Sequence, residues 1–243
     1  MKENLPFRKK TLVFYLILTF AILAIIIMMI RTHSQVPEHH VAGNTMFNIS
    51  VILDAGHGGL DGGAVSKQGT MEAPITLEIS RKSQALLGFV GIPSILTRET
   101  EQSLGYNPSA SVRENKNVDL KKRLKIAEQY SNSVFISVHL NRFAQEKYYG
   151  AQTFYGVCNP SSKALAEALQ GEMVRLLDPK NERKAKRIPG TVYLMEHVKN
   201  PAVTLECGFL SNPREEALLK SDAYQVKIAL AVLSGYLNYQ KGC

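Results

Sequence analysis

The sequence contains no tryptophan and little cysteine. Its 243 residues include three cysteines, Cys158, Cys207 and Cys243, an odd number without close spacing. This pattern excludes a disulfide framework and a CxxC zinc module. We expect Cys158 and Cys207 to be buried thiols. No HExxH pair and no phosphate-loop motif occurs, so a metal site would have to draw its ligands from separate segments of the chain.

Acidic residues are fewer than basic ones, and the formal net charge is +8. A basic cluster late in the chain consists of Lys180, Arg183, Lys184, Lys186 and Arg187. No aromatic residues are interleaved with it, which argues against a nucleic-acid partner. The cluster is either a solvated loop or a surface that meets an anionic polymer.

Residues 12–30 form a run of 19 residues without a charge. As a helix this run would span roughly 30 Å, the thickness of a bilayer core. Arg8, Lys9 and Lys10 precede it, and such a cluster stays on the cytoplasmic side. We therefore expect residues 1–30 to be a cytoplasmic flank and a transmembrane or signal-anchor segment, with the rest of the chain exported. A cleaved signal peptide is the alternative, although its apolar region is usually only about 7–15 residues long.

Residues 31–47 are polar and are expected to be a linker, followed by one catalytic domain over residues 48–243. In this domain β-branched runs alternate with helical periodicity, which predicts an α/β fold with a mostly parallel sheet and helices on both faces. The predicted strands are 48–53, 94–97, 133–139, 150–155, 191–195 and 202–206. The predicted helices are 74–89, 119–130, 160–177 and 212–239, with a long loop over 104–118. Asn212 and Glu215 are expected to form a capping box at the last helical region.

Two histidines and a glutamate follow three of the predicted strands. His57 comes after the first strand, His139 after the third and Glu206 after the last. Ligands of open α/β sheets bind beyond the carboxyl ends of the strands, so these side chains are expected to meet at one edge. Ordinary polar residues at strand ends are the alternative interpretation.

Glu72 precedes the helix predicted from Pro74 and could reach the same edge, or could only stabilise the helix N-terminus. Two imidazoles and one carboxylate, with a fourth position left to water, make a catalytic zinc site, and a further carboxylate would act as general acid and base. Glycines around His57 permit close approach of a ligand to the backbone. Asp54 is a candidate to orient His57, and Asp61 a candidate to fix the loop.

Three motifs resemble those of the N-acetylmuramoyl-L-alanine amidase 3 family of zinc peptidoglycan hydrolases. They are LDAGHGGLDGGA at 53–64, SVHLN at 137–141 and PAVTLECGFLSNPREE at 201–216. The resemblance implies a three-layer α/β sandwich around a mixed six-stranded sheet. It also implies Zn²⁺ on His57, Glu72 and His139, with Glu206 as the catalytic acid and base. The implied reaction cleaves the amide between the lactyl group of muramic acid and L-alanine.

Within this family, the stretches at 150–156 and 183–195 resemble the spore-cortex amidases of endospore-forming bacteria. The resemblance implies a role in muramic-δ-lactam formation, peptidoglycan as the substrate partner, and a location between the forespore membranes. The chain departs from the family pattern at Ala73 and Pro74, directly after Glu72. This departure leaves open a partner protein that helps to hold the metal.

Two other classes of protein remain open. The first is a Cys/His peptidase with Cys207 as the nucleophile, but Cys207 follows Glu206 in a strand and should face the opposite side of the sheet. The second is a non-catalytic peptidoglycan-binding domain, whose signature would be the loss of a ligand residue.

Overall fold

A computed structural model of the protein describes residues 48–190 and 192–242. The predicted membrane segment and linker, together with Thr191 and Cys243, lie outside the described residues. In the part that is described, no helix combines the length and the apolar character needed to cross a bilayer.

Strands and helices alternate along most of the described chain. The strands are β1 (Val51–Ala55), β2 (Ser94–Leu96), β3 (Val134–Asn141), β4 (Gln152–Tyr155), β5 (Lys186–Arg187) and β6 (Ala202–Phe209). The helices are α1 (Glu72–Phe89), α2 (Val112–Gln129), α3 (Ser162–Leu177), α4 (Tyr193–His197), α5 (Pro213–Leu219) and α6 (Asp222–Lys241).

The strands form one mixed six-stranded sheet in the order β2-β1-β3-β6-β4-β5. All neighbouring pairs are parallel except β4 and β6, which are antiparallel. Because β1, β3 and β6 run in the same direction, their carboxyl ends meet at one edge of the sheet. The start of β4 lies at that same edge. The predicted α/β sandwich with a mixed sheet is confirmed.

Helices cover both faces of this sheet and make three layers. On one face, side chains such as Leu53, Ile136 and Leu205 pack with α1, α3 and α6 in the larger core. On the other face, Ile52 and Phe135 pack with α2 and α4 in a smaller core. Successive strand residues point to opposite faces, so the parity of each position decides which core it joins.

The strand predicted at 191–195 is wrong, because Tyr193–His197 is the helix α4. Leu194 and Met195 are adjacent in sequence and both buried, which a half-buried strand does not allow. The sixth strand is instead β5, whose two residues are exposed at the edge of the sheet. A two-residue basic strand carries no alternating pattern and is fixed only by its pairing with β4.

The long loop predicted over 104–118 is also wrong in its second half, because α2 begins at Val112. Ser111 caps this helix: its hydroxyl accepts from the Glu114 N–H, and the Glu114 carboxylate accepts from the Ser111 N–H. This reciprocal arrangement is a capping box, and its S-x-x-E signature is present in the sequence.

The predicted Asn212 cap is confirmed, since its side chain accepts from the Arg214 and Glu215 N–H groups at the start of α5. The predicted return bond from Glu215 is not formed. Its carboxylate accepts instead from the backbone N–H groups of Gly150 and Phe209, at 2.9 and 2.8 Å. Glu215 therefore joins β6 and the segment just before β4 to α5, a tertiary role that local sequence cannot reveal.

Candidate metal centre and active site

Three of the predicted site residues lie together at the carboxyl edge of β1, β3 and β6. His139 and Glu206 are directly paired in the register of β3 and β6, and His57 lies in the loop that follows β1. All three line one cavity of about 430 Å³ between the sheet and the helices α2 and α4. The strand-end rule therefore placed these residues correctly.

Glu72 reaches the same edge from the other layer of the sandwich. It is the first residue of α1, which starts two residues earlier than predicted, and it is 2% exposed. Its Oε1 accepts from the Leu140 N–H at 2.8 Å, and its Oε2 accepts from the Ala64 N–H at 2.7 Å. These two backbone bonds fix the carboxylate in one orientation.

The Glu72 carboxylate lies between the two imidazoles. Oε1 is 2.9 Å from His139 Nδ1, and Oε2 is 3.3 Å from His57 Nε2. Burial alone would raise the pKa of Glu72, but hydrogen bonds and charge interactions with His139 and His57 hold it below its usual range. Glu72 is thus an ionised acceptor for both rings.

This donor set fits a zinc ion. His57, Glu72 and His139 each offer one ligand atom, and these atoms lie within 4.8 Å of one another. Zinc takes nitrogen and carboxylate donors at about 2.0–2.2 Å, so donors around a tetrahedral ion lie roughly 3.4 Å apart. Two histidine nitrogens and one carboxylate are one of the three-ligand sets that catalytic zinc sites use.

Two glycines make room for this arrangement. A Cβ on Gly63 would lie 2.5 Å from Glu72 Oε2, and a Cβ on Gly56 would lie 2.5 Å from the His139 ring.

Among the described residues, His57 is the one non-glycine with a positive φ, of 62°. Such a conformation costs of order 1–3 kcal/mol and persists only when the surroundings fix it.

Asp61, rather than Asp54, contacts the His57 imidazole. Asp61 Oδ1 is 3.0 Å from His57 Nδ1, and its Oδ2 is 2.9 Å from Lys116 Nζ. A carboxylate on the second ring nitrogen orients a ligating histidine and leaves Nε2 for the metal. The sequence assigned this orienting role to Asp54, and that assignment is wrong. Asp61 also accepts from the Gly63 N–H, so its predicted role in fixing the loop holds as well.

Asp54 acts one step further away, through Arg123. Its fully buried carboxylate accepts from Thr97, Ser137 and Arg123. Burial opposes ionisation of Asp54, but the Arg123 charge and the three hydrogen bonds lower its pKa. Arg123 in turn donates to the backbone carbonyl of His57 at 2.6 Å. A buried ion pair thereby reaches the backbone of a proposed metal ligand.

Arg98 completes the support of the loop after β1. It donates to the carbonyls of Ala55 and Gly56, and Arg123 donates to those of Ala55 and His57. Three consecutive carbonyls are therefore held by two guanidinium groups. This explains how His57 keeps its strained backbone.

We expect Arg123→Lys to lower the free energy of unfolding by about 1–3 kcal/mol, the cost of leaving buried acceptors unsatisfied. Lysine keeps the charge but cannot reach Asp54, Asp119 and the backbone carbonyls at once. Urea denaturation measures the effect. Arg175→Lys is the control, because Arg175 is exposed and, among the described residues, pairs only with Glu172. Equal stability of the two variants would contradict a structural role for Arg123.

Glu206 faces the cavity with one oxygen unpaired. The residue is partly exposed, but its Oε2 atom is enclosed and has no hydrogen-bond partner among the described residues. Burial raises the pKa of Glu206 to about 7; the negative charge of Glu72 adds to this, and His139 and His57 oppose it. A carboxyl with a pKa near neutrality can both take up and release a proton at physiological pH.

Cys207 lies on the opposite face from Glu206. It is fully buried in the larger core, and burial raises the pKa of its thiol well above the usual value. A nucleophilic cysteine needs an accessible thiolate, so this position does not suit a Cys/His peptidase. Cys158, predicted to be buried, is exposed.

We expect zinc affinity to rise about tenfold per pH unit up to roughly pH 9, because the ion must displace a proton from His57. Burial lowers the pKa of His57, but its bonds to Asp61 and Glu72 raise the pKa to about 9 in the metal-free protein. Competition with a chelator at several pH values measures this slope. In Asp61→Asn, zinc affinity should stop rising at a lower pH, because His57 loses one of the bonds that raise its pKa. An affinity that is constant between pH 7 and 9 would contradict the prediction.

Comparison with known proteins identifies the family of this chain. Residues 51–238 match the family described as N-acetylmuramoyl-L-alanine amidase. The chain is 38% identical over 189 residues to the germination-specific N-acetylmuramoyl-L-alanine amidase of Bacillus subtilis (strain 168), covering 78% of each protein.

Solved structures that are similar to this chain are also those of amidases. The CwlD amidase of Clostridioides difficile, in complex with the GerS lipoprotein, has a TM-score of 0.76 and 42% identity, over 80% of this chain and 99% of that one. The catalytic domain of CwlV, an amidase from Bacillus (Paenibacillus) polymyxa var. colistinus, has a TM-score of 0.65 and 28% identity, over 79% of this chain and 98% of that one. The chain therefore belongs to the N-acetylmuramoyl-L-alanine amidase family, whose members are peptidoglycan hydrolases.

Proposed function

We propose that this amidase is zinc-dependent and cleaves the amide between the lactyl group of muramic acid and L-alanine. His57, Glu72 and His139 would hold the ion, and Glu206 would be the catalytic acid and base. The observation that carries the proposal is the convergence of three ligand atoms within 4.8 Å beside an enclosed carboxylate oxygen that has no hydrogen-bond partner in the described part of the chain.

Each part of the proposed site has a separate role in hydrolysis. A bound zinc ion supplies Lewis acidity, which activates water at neutral pH and polarises the carbonyl of the substrate. Glu206 takes a proton from the attacking water as the new C–O bond forms. It then delivers that proton to the nitrogen of L-alanine as the C–N bond breaks, so one carboxyl serves as base and then as acid.

Glu72 and Asp61 act on the proposed metal site rather than on the substrate. Glu72 lies between both rings, and Asp61 holds the Nδ1 side of His57. With Nδ1 bonded to a carboxylate, His57 presents Nε2 in a fixed direction. The strained backbone of His57, held by Arg123, keeps that direction constant.

We further propose that the enzyme acts on spore-cortex peptidoglycan, removing stem peptides so that muramic-δ-lactam can form. This rests on the similarity to the germination-specific amidase of Bacillus subtilis and to CwlD of Clostridioides difficile. Peptidoglycan analysis of spores from a strain lacking this protein tests it. Normal muramic-δ-lactam content in those spores would overturn this part of the proposal.

The proposed location is outside the cytoplasm, with the catalytic domain attached to a membrane. The uncharged run at 12–30 and the preceding basic residues support this placement. Fractionation of cells that produce the full chain tests it. Recovery in the soluble cytoplasmic fraction would overturn it.

A partner lipoprotein is proposed as well. The CwlD amidase of Clostridioides difficile was solved in complex with the GerS lipoprotein, and this chain is 42% identical to that amidase. Ala73 and Pro74 follow the proposed ligand Glu72 and depart from the family pattern. We propose that the lipoprotein contacts the start of α1 and supports metal binding at Glu72.

Mass spectrometry of peptidoglycan fragments tests the proposed reaction. Purified protein with one equivalent of zinc should release peptides that begin with a free L-alanine amine, and chelation should stop the release. Treatment with a thiol-alkylating reagent should have no effect on this release, because Cys207 is buried and the exposed Cys158 does not line the site cavity. A zinc-loaded protein that binds peptidoglycan but releases no peptide would instead indicate a non-catalytic binding domain.

A further inference from the structure

A second cavity, of about 580 Å³, lies at the edge of the sheet beside the proposed active site. We call it the basic cavity. Its lining includes Lys147, Tyr148, Gln152, Lys180, Arg183 and Lys186. None of the hydrolytic steps described above uses these residues.

Gln152 connects the basic cavity to the site. It is directly opposite Glu206 in the antiparallel pair of β4 and β6. Directly opposed residues point to the same face of a sheet, with their Cβ atoms about 4.5–5.5 Å apart. The basic cavity is therefore a lateral continuation of the cleft that contains Glu206.

Arg183 is held in a fixed position inside the basic cavity. Its Nη1 donates to Gln152 Oε1 at 2.9 Å, and its Nε donates to the Tyr149 carbonyl at 2.8 Å. The guanidinium lies over the Phe209 ring, 4.8 Å from its centroid. In the described part of the chain, no acceptor bonds its Nη2 group. One edge of a pre-oriented guanidinium is thus left for a ligand.

The charge of the basic cavity is not balanced by nearby carboxylates. Five cationic side chains line it, with Glu182 as the one lining acid. None of the five has a carboxylate within 4.0 Å among the described residues. Glu215 is a further carboxylate whose charge interacts with that of Arg183, so the five cations still outnumber the two acids, Glu182 and Glu215. An anionic ligand would supply the missing charge.

We propose that the basic cavity binds the carboxylates of the peptide that follows the scissile L-alanine amide. This inference rests on the proposed function. The N-acetylated sugars of the glycan are uncharged once the lactyl group is in amide linkage, so the anionic groups of the substrate lie on its peptide side. An extended residue spans about 3.3–3.6 Å, so two or three residues beyond the scissile bond bring a carboxylate past Gln152.

Arg183 is the expected principal contact, because a fixed guanidinium suits a carboxylate better than a mobile ammonium group. Lys186 adds charge from the neighbouring strand β5. Its register partner is Phe154, two residues after Gln152 and on the same face. The peptide would run along the β4–β5 edge, with the glycan on the opposite side of Glu206.

Binding of short peptides to the metal-free protein tests the proposal independently of catalysis. The probes are a tripeptide that begins with L-alanine and carries two free carboxylates, and the same tripeptide with both carboxylates amidated. The wild-type protein should bind the acidic peptide about tenfold more tightly, the effect of a charge-assisted hydrogen bond. Arg183→Gln and Lys186→Gln should each remove most of this preference.

Lys227→Gln is the matched control, because Lys227 is exposed on α6 and lies on the other face of the sheet. Lys186→Gln keeps the test valid if Arg183→Gln disturbs folding, since the Lys186 side chain makes no hydrogen bond or ion pair among the described residues. The proposal would be overturned if the wild type bound the two peptides with equal affinity. It would also be overturned if Lys227→Gln lost as much of the preference for the acidic peptide as Arg183→Gln and Lys186→Gln do.

Hydrolysis assays separate this inference from the proposed function. Matched muramoyl peptides with free or amidated carboxylates serve as substrates for the zinc-loaded protein. If both are cleaved with equal kcat/KM and the cavity variants change nothing, the amidase reaction stands and the peptide subsite is overturned. If neither is cleaved but the acidic tripeptide is still preferred, the proposed reaction fails and the subsite stands.

Discussion

Replacing Glu206 by glutamine is expected to reduce hydrolysis about 10²–10⁴-fold, the usual contribution of a general acid and base, while zinc binding is retained. Glutamine has nearly the same shape as glutamate but cannot carry a proton from water to the leaving amine. Because Glu206 is outside the proposed ligand set, the metal should remain.

The surroundings of Glu206 allow this substitution to remove the proton transfer without breaking a structural hydrogen bond at Oε2. Its Oε2 atom accepts no hydrogen bond from the described residues, so no structural bond is lost there. In the metal-free protein, burial raises the pKa of Glu206 to about 7. Because the pKa of Glu206 is higher in the folded protein than in the unfolded chain, protonation of Glu206 increases the free energy of unfolding. This contribution is complete below the unfolded-state pKa and is lost as the pH rises through about 7. Glu206→Gln should therefore be at least as stable as the wild type at pH 8.

Three measurements decide the outcome together: the release of peptide from peptidoglycan, the zinc content and the denaturation midpoint. Glu128→Gln, an exposed change on α2, should behave like the wild type in all three. Full activity in Glu206→Gln would remove the residue from the mechanism. Loss of zinc together with activity would instead make it a ligand.

The positions of His57, His139 and Glu206 could be predicted because they depend on local sequence. Each follows a short run of β-branched or apolar residues, and parallel strands bring their carboxyl ends to one edge. The prediction needed only the strand order in sequence, not the packing of side chains. This is why it holds although several element boundaries were misplaced.

Arg123 was missed for a physical reason. It lies on the buried side of α2, 1% exposed, where helical periodicity predicts an apolar residue. Its burial is stabilised by Asp119 one turn earlier and by Asp54 on β1, and the second partner becomes visible only in three dimensions. The Asp119–Arg123 spacing was the one available signal, and it also fits an ordinary solvated pair.

Glu72 is an intermediate case, because local sequence left its role open. Its position at the first turn of a helix is fully explained by the helix dipole. What distinguishes it is the approach of the loop at Gly63 and the end of β3, which enclose the carboxylate from two sides. Because of this enclosure, a substitution at Glu72 is expected to affect both the metal site and the fold.

Replacing Glu72 by glutamine is expected to lower zinc affinity by more than the roughly 10–100-fold that loss of an outer-shell partner costs. Glutamine is a poor zinc ligand compared with a carboxylate, and it removes the negative charge between His57 and His139. Hydrolysis should be undetectable at zinc concentrations that saturate the wild type.

The same variant should also destabilise the metal-free protein by about 1–3 kcal/mol. Both Glu72 oxygens accept from backbone N–H groups, those of Leu140 and Ala64. A glutamine side chain has one oxygen, so its NH₂ group must face one of these donors and leave it unsatisfied. This cost is absent in Glu206→Gln, so the two variants should differ in stability as well as in metal content.

Zinc titration with a competing chelator, together with urea denaturation of the metal-free form, measures both effects. Glu78→Gln is the control on the same helix, because Glu78 is half-exposed and pairs with Arg81 at the surface. It should keep the zinc affinity and change stability by less than about 0.5 kcal/mol. If Glu72→Gln bound zinc as tightly as this control, the ion would have to be held by His57 and His139 with another group. The arrangement of Glu72 would then serve the fold alone, as its position at the helix start allows.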